Sequence, residues 1–215
     1  MGLRETKKQQ TRQSISNHAT RLFLRHGFDR VTIADVAAAA QVAKMTVTNY
    51  FPRKEDLALD LHEAFTASLA RTVAERAPGE SALAALRRGF LEAVRRQDAV
   101  IGFSGPPFAR MITGSPALVA RLREFHEERE EALAAVLAEE TGAGPDDVLP
   151  RLVAAQLGGV HRVLFQETLR RNVRGETREE IEAALAESAK TAFDLLEPSL
   201  GSYATRPASE GRGAP

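Results

Sequence analysis

The octapeptide KMTVTNYF, residues 44–51, carries hydrogen-bonding side chains around an apolar edge. Wound as a helix it turns Val47, Tyr50 and Phe51 to one side and leaves Lys44, Met45, Thr46, Thr48 and Asn49 on the others. Those types suit base readout in a DNA major groove. A lysine donates to guanine O6 and N7, an asparagine pairs with adenine through two hydrogen bonds, and a methionine or threonine methyl meets the thymine methyl. Lys54 follows at the start of the next helix, where its charge and the free first-turn amides together suit a phosphate.

A second group lies further along: Phe90; Phe103, Phe108 and Met111; Phe125 and His126; His161 and Phe165. Apolar walls with a few converging polar groups are how small-molecule cavities are built, although the same residues also serve as ordinary core. Arg129 shares a helical stripe with Leu122, Phe125, His126, Leu133 and Val136, which turns a cation inward. A buried arginine requires a partner, either an internal Asp or Glu or the carboxylate or phosphate of a ligand.

Catalytic chemistry finds no such footing. The chain has no cysteine, which removes disulfides, Cys-rich zinc sites and a thiolate nucleophile. G-x-G-x-x-G, P-loop and H-E-x-x-H patterns are absent. GFSGP around Ser104 lacks G-x-S-x-G spacing and a preceding strand. His62-Glu63 and His126-Glu127 are adjacent pairs, pointing about 100° apart on a helix, so neither can share a metal. No enzyme, metal site or cofactor is expected.

The elements that position these residues all read as helices, because apolar residues recur three and four apart and no period-two segment appears. In 215 residues, 43% hydrophobic and 27% charged, there is material for a packed core. Ile15, Ala19, Leu22, Phe23 and His26 form a first stripe ended by Gly27. Thr32 and Asp35 form a capping box opening a second helix, and after Gln41, Val42 and Ala43 comes the helix bearing KMTVTNYF, stopped by Pro52. The spacing of Leu57, Leu61, Phe65, Leu69 and Val73 predicts one long helix from Lys54 to Ala77. Helices are expected over 81–97, from Ser115-Pro116 to about 140, over 146–174, and from the Thr177/Glu180 capping box to about Pro198, with a short kinked helix inside GFSGPPFARMITGSP. This all-α reading divides into a head, residues 1–52, a body, residues 53–200, and a disordered tail, residues 201–215.

Charge divides along the same line. Residues 1–55 hold ten Lys/Arg against four acids, a surplus of six, and the chain as a whole is neutral. A basic head on an acidic body suggests that the head alone meets a polyanion. No apolar run approaches the roughly 18 residues a bilayer span requires, and the start MGLRETKKQQ is too polar for a signal peptide. A soluble cytoplasmic protein with no membrane partner is expected.

The stretch GFDRVTIADVAAAAQVAKMTVTNYFPRKEDL, with the upstream Ala19, Leu22 and Phe23, resembles the DNA-binding domain of the TetR transcriptional regulators over about residues 10–60. The resemblance implies a helix-turn-helix head, a ligand-binding helical body and a homodimer held by the last two long helices. It makes Lys44, Thr46, Thr48, Asn49 and Tyr50 recognition-helix contacts, with Thr32 and Lys54 on the DNA backbone. The chain departs from the family pattern at the turn (Gln41 for glycine), at the helix cap (Ala43 for serine) and at Thr48, where many members place Tyr or Phe.

The function expected is a repressor binding an inverted-repeat operator and released by a hydrophobic or amphipathic small molecule. A helical lipid-binding or scaffold protein is the rival reading. Gly158-Gly159 interrupts an apolar helix and calls for close approach of another helix, from a dimer partner or from the same subunit. Ile181, Leu185, Ser188, Ala192 and Leu196 line a face of the last helix suited to the same dimer interface.

Overall fold

The structure is a computed structural model that describes residues 2–207. It is all-α, with no strand among the described residues: α1 Leu3–His26, α2 Ile33–Ala39, α3 Lys44–Tyr50, α4 Lys54–Ala58, α5 His62–Ala74, α6 Ala82–Arg95, a 3-10 turn Ala99–Ile101, α7 Pro106–Gly114, α8 Pro116–Thr141, α9 Leu149–Arg174 and α10 Arg178–Leu200. The chain forms two compact units, Met1–Glu63 with Pro106–Glu124, and Ala64–Gly105 with Phe125–Pro215.

In the first unit the expected stripe packs as a core. Ile15, Ala19 and Phe23 of α1 are buried with Phe28, Val36, Val47, Phe51 and Leu57, and the Phe23 and Phe28 rings lie 5.1 Å apart. His26 is off the stripe and exposed. Thr32 and Asp35 cap α2 reciprocally. Gln41 takes φ 55°, the left-handed turn residue where a glycine would be unstrained.

Two expectations about this unit change. The head does not end at residue 52: it keeps α4 and adds α7 and the start of α8. Asp56 explains part of this, because its carboxylate accepts from the Arg53 amide and from Arg121 Nε at 2.9 Å, while the Ser115 hydroxyl donates to Asp29. Nor is there a single helix from Lys54 to Ala77. The chain breaks between α4 and α5, where the Asp60 carboxylate accepts from Ser16 and its carbonyl from Arg12. The break also turns Leu61 out of the apolar stripe, leaving it exposed.

The second unit packs Leu69 and Val73 of α5, Leu83, Leu86 and Phe90 of α6, Leu133 and Leu137 of α8, Leu157 and Leu164 of α9, and Ile181, Leu185 and Phe193 of α10 into one core. The kinked segment resolves into the 3-10 turn, Gly102 at φ 101° and the regular α7. Of the tail expected to be disordered, residues 201–207 are ordered and 208–215 lie outside the described residues. Gly79 donates to the Arg206 carbonyl at 2.8 Å, and the Arg206 amide donates to the Glu80 carbonyl at 3.0 Å. The fully buried Arg76 guanidinium donates to the Ala204 carbonyl and to Glu140. The low-complexity appearance of the tail hides these pairings because all but one of them run through the backbone.

Candidate nucleic-acid interface and buried cavity

On α3, Val47 is fully buried and Phe51, just past the helix, is buried too; the Arg12 guanidinium lies 4.9 Å over the Phe51 ring. Those anchors present the opposite edge to solvent: Lys44, Asn49 and Met45, which is 70% exposed. Thr46, Thr48 and Tyr50 are half-buried, and the Thr48 hydroxyl donates back to the Met45 carbonyl at 3.1 Å. Ala43 caps α3 without a side-chain hydrogen bond. Thr32 is exposed at the start of α2. Lys54 is half-buried: its ammonium lies 4.2 Å over the Phe28 ring and 3.5 Å from the Asp29 carbonyl.

The second unit contains a cavity of about 120 Å³ lined by Ser68, Thr72, Gly89, Phe90, Arg129 and His161 among others. Arg129 is 3% exposed and His161 4%. Arg129 Nε donates to the Ser68 hydroxyl at 2.9 Å, which itself donates to the Phe65 carbonyl, and the guanidinium stacks 4.5 Å from the Phe65 ring centroid. No carboxylate among the described residues lies within ion-pair distance of Arg129, although Glu130 is near enough to be felt. Burial pulls the Arg129 guanidinium down to about 9. Burial, reinforced by the charge of Arg129, holds His126 near 3 and His161 well below the usual imidazole range. His126 Nε2 and both His161 ring nitrogens are buried without a hydrogen-bond partner among the described residues.

The other expected cavity residues separate. His126 and Phe165 pack edge to face at 5.6 Å, and each does the same against Phe65. His161 lies edge-on to Phe90 and Phe193. Phe103 is core and Phe125 is buried. Phe108 and Met111 do not belong with them: both lie on α7 in the first unit, where Met111 lines a groove with Phe23, Phe28 and Pro107. Sequence reasoning missed Ser68 and Phe65. Their three-residue spacing puts both on one face of α5, a pattern indistinguishable from core periodicity until Arg129 is seen against them.

The residues assigned to a dimer interface also divide. Gly158 is buried against α8 of its own subunit: a Cβ there would lie 2.4 Å from Glu130 Cγ. Ile181 and Leu185 are wholly buried in their own core, while Gly159, Ser188, Ala192 and Leu196 are half-buried. The face left outward on α9 and α10 holds Leu152, Val163 and Leu195, the last 75% exposed. Small and apolar residues occupy both faces of α10.

The family model of bacterial regulatory proteins, tetR family, matches residues 15–61, and that of the MftR C-terminal domain matches residues 80–201. The chain belongs to the TetR family. It is similar to the HTH-type transcriptional regulator TcmR of Streptomyces glaucescens, 30% identical over 96% of this chain and 91% of that one. It is also similar to the putative mycofactocin biosynthesis transcriptional regulator MftR of Mycobacterium tuberculosis, 26% identical over 86% of this chain and 89% of that protein. Among solved structures, the SmeT–triclosan complex aligns with TM-score 0.57 at 16% identity, covering 95% of this chain and 99% of that one. NalD, the secondary repressor of the MexAB-OprM multidrug efflux pump in Pseudomonas aeruginosa, aligns with TM-score 0.53 at 20% identity, covering 87% and 97%. These structures share the TetR fold. TetR-family regulators bind operator DNA, dimerise and respond to small molecules, so this TetR-family chain is a DNA-binding transcriptional regulator and not an enzyme. No described helix is long and apolar enough to cross a membrane.

Proposed function

We propose that this regulator is a homodimeric repressor that reads an inverted-repeat operator with α3 and leaves it when a small molecule fills the cavity beside Arg129. The observation that carries the reading is the division of α3 into a buried edge, Val47 with Phe51, and an exposed polar edge of Lys44, Met45 and Asn49. Lys44 and Asn49 read bases, Thr46, Thr48 and Tyr50 border them, and Thr32 and Lys54 hold the DNA backbone. One recognition helix covers only a few base pairs, so a two-fold pair of heads about one helical turn apart is required for a specific site.

The outward faces of α9 and α10, with Leu152, Gly159, Val163, Ser188, Ala192, Leu195 and Leu196, supply the dimer contact. Exposed apolar side chains grouped on two long helices favour a covered surface. Release follows if ligand binds the DNA-incompetent conformation more tightly. A coupling of about 1–3 kcal/mol weakens operator binding some 5- to 150-fold.

A mobility-shift assay on the DNA upstream of its own gene, paired with sedimentation at micromolar protein, tests this reading. A sequence-specific shift by a dimer is expected. A monomer that still retains operator-length DNA, or retention equal for all sequences, overturns it.

A further inference from the structure

Arg129 is a buried cation whose protein environment completes only part of its hydrogen-bonding capacity. Of its five donors, one reaches the Ser68 hydroxyl. The ring of Phe65 covers one face, and the terminal nitrogens have no acceptor among the described residues. A guanidinium taken out of water without a counter-charge is strongly destabilising, and proteins retain such a group where something else supplies the anion. The fork is held ready: Ser68 is fixed by its own bond to the Phe65 carbonyl, and Phe65 is wedged edge-on between His126 and Phe165.

Resting on the reading of this cavity as the inducer site, we infer that the inducer is an organic monoanion, a carboxylate on a compact apolar body, whose carboxylate pairs with Arg129. A guanidinium presents two parallel donors that match a carboxylate in geometry. The charge count favours a single negative charge. His126 and His161, both near enough to feel the charge of Arg129, are neutral imidazoles, so the cavity wall carries one buried cation. Of the other charged groups lining the cavity, Arg71 and Arg96 are exposed and solvated, and Asp98 lies 3.8 Å from Arg96. Glu130, next to Arg129, turns to Gly158 and Arg162. A dianion such as a phosphate monoester would leave a buried negative charge uncompensated. The volume, about 120 Å³, is close to the roughly 150 Å³ of a cavity that holds a benzene ring, so the body is a single ring or a short branched chain. His161 Nδ1 and Nε2 lack partners among the described residues, and whichever of them carries the single proton of the neutral ring is free to donate to a second ligand oxygen.

Thermal unfolding of the full chain tests this at constant ionic strength with sodium benzoate, benzamide and inorganic phosphate as probes, on wild type, Arg129→Met and Arg129→Lys. Benzoate is expected to stabilise wild type saturably, at an affinity roughly tenfold or more above that of benzamide, with no saturable effect of phosphate. Arg129→Met should lose the benzoate response while its ligand-free melting temperature stays level or rises, because an uncompensated charge has been removed. Arg129→Lys should retain a weakened response. Benzamide matching benzoate, phosphate matching benzoate, no benzoate response, or an Arg129→Met protein that melts lower or fails to fold overturns the inference. DNA retention by ligand-free protein is scored separately, so loss of the repressor reading is distinguishable from loss of the anion assignment.

Discussion

Gly158 lacks a side chain where Glu130 needs the room: a Cβ on α9 at that position would sit 2.4 Å from Glu130 Cγ and 2.9 Å from its Cδ. The clash falls in the middle of the glutamate side chain, so relief requires the whole group to rotate. Gly158→Ala should therefore destabilise the protein by about 1–3 kcal/mol despite the better helix propensity of alanine. In a Glu130→Ala background the same change should stabilise by about 1 kcal/mol, the propensity gain alone. A double-mutant cycle by urea denaturation reads the reversal, and additive effects would contradict the packing described.

The turn before α3 is built with less favourable residues than its geometry invites. Gln41 at φ 55° pays about 1 kcal/mol for the left-handed conformation, and Ala43 leaves the first-turn amides of α3 without a side-chain acceptor. Gln41→Gly and Ala43→Ser should each stabilise the protein by about 1 kcal/mol or somewhat less. Calorimetry of the single and double variants checks this. The serine has a second use, since operator affinity that rises with it would tie head stability to DNA binding.

Base-reading and backbone-holding residues should separate under salt titration. Lys44→Ala and Asn49→Ala should each cost about 1–3 kcal/mol on the operator and little on unrelated DNA. Lys54→Ala should weaken all sequences alike and lower the salt slope by about one. It should also destabilise the head slightly, because the Lys54 ammonium lies over the Phe28 ring. Equal losses from all three on every sequence would remove α3 as the recognition helix.

The helices and the head were legible in the amino-acid order for a physical reason: capping boxes such as Thr32/Asp35 and Thr177/Glu180, and stripes such as Ile15–Ala19–Phe23, are local signals. What was not legible depends on distant partners. Asp60 breaks the helix after Lys54 because Ser16 and Arg12 take its carboxylate and carbonyl, and neither spacing nor propensity carries that information. Arg129 was seen to face inward, but whether an internal carboxylate met it required the fold. Met111 and Phe108 look like Phe90 and Phe165 in a sequence and differ only in the unit that α7 joins.

Stability should fall in mild acid in a way traceable to two side chains. His126 and His161 are held neutral by burial, His126 near 3 and His161 well below its usual range, whereas in the unfolded chain both take up protons below about 6.5. The unfolded state then binds more protons, so stability is full above that pH and declines as pH falls toward the folded values. The slope should reach nearly 3 kcal/mol per pH unit for the pair, about half for each. Chemical denaturation at pH 6.5, 6.0, 5.5 and 5.0 reads it, above the carboxylate range. His161→Phe should roughly halve the slope, and an unchanged slope would show that this imidazole is not buried neutral.

The latch between Arg76 and the segment ending at Arg206 has a kinetic meaning. Its contacts join residues 128 and 130 positions apart, and closing so long a loop is entropically slow compared with winding the helices between. During synthesis, α5 and α6 emerge and wind while the Ala204 carbonyl that completes the Arg76 guanidinium does not yet exist. Until residue 206 has left the ribosome, the Arg76 guanidinium lacks one of its acceptors and the Arg76 carbonyl its Arg206 donor, so the far end of the body decides when the end of α5 is fully closed.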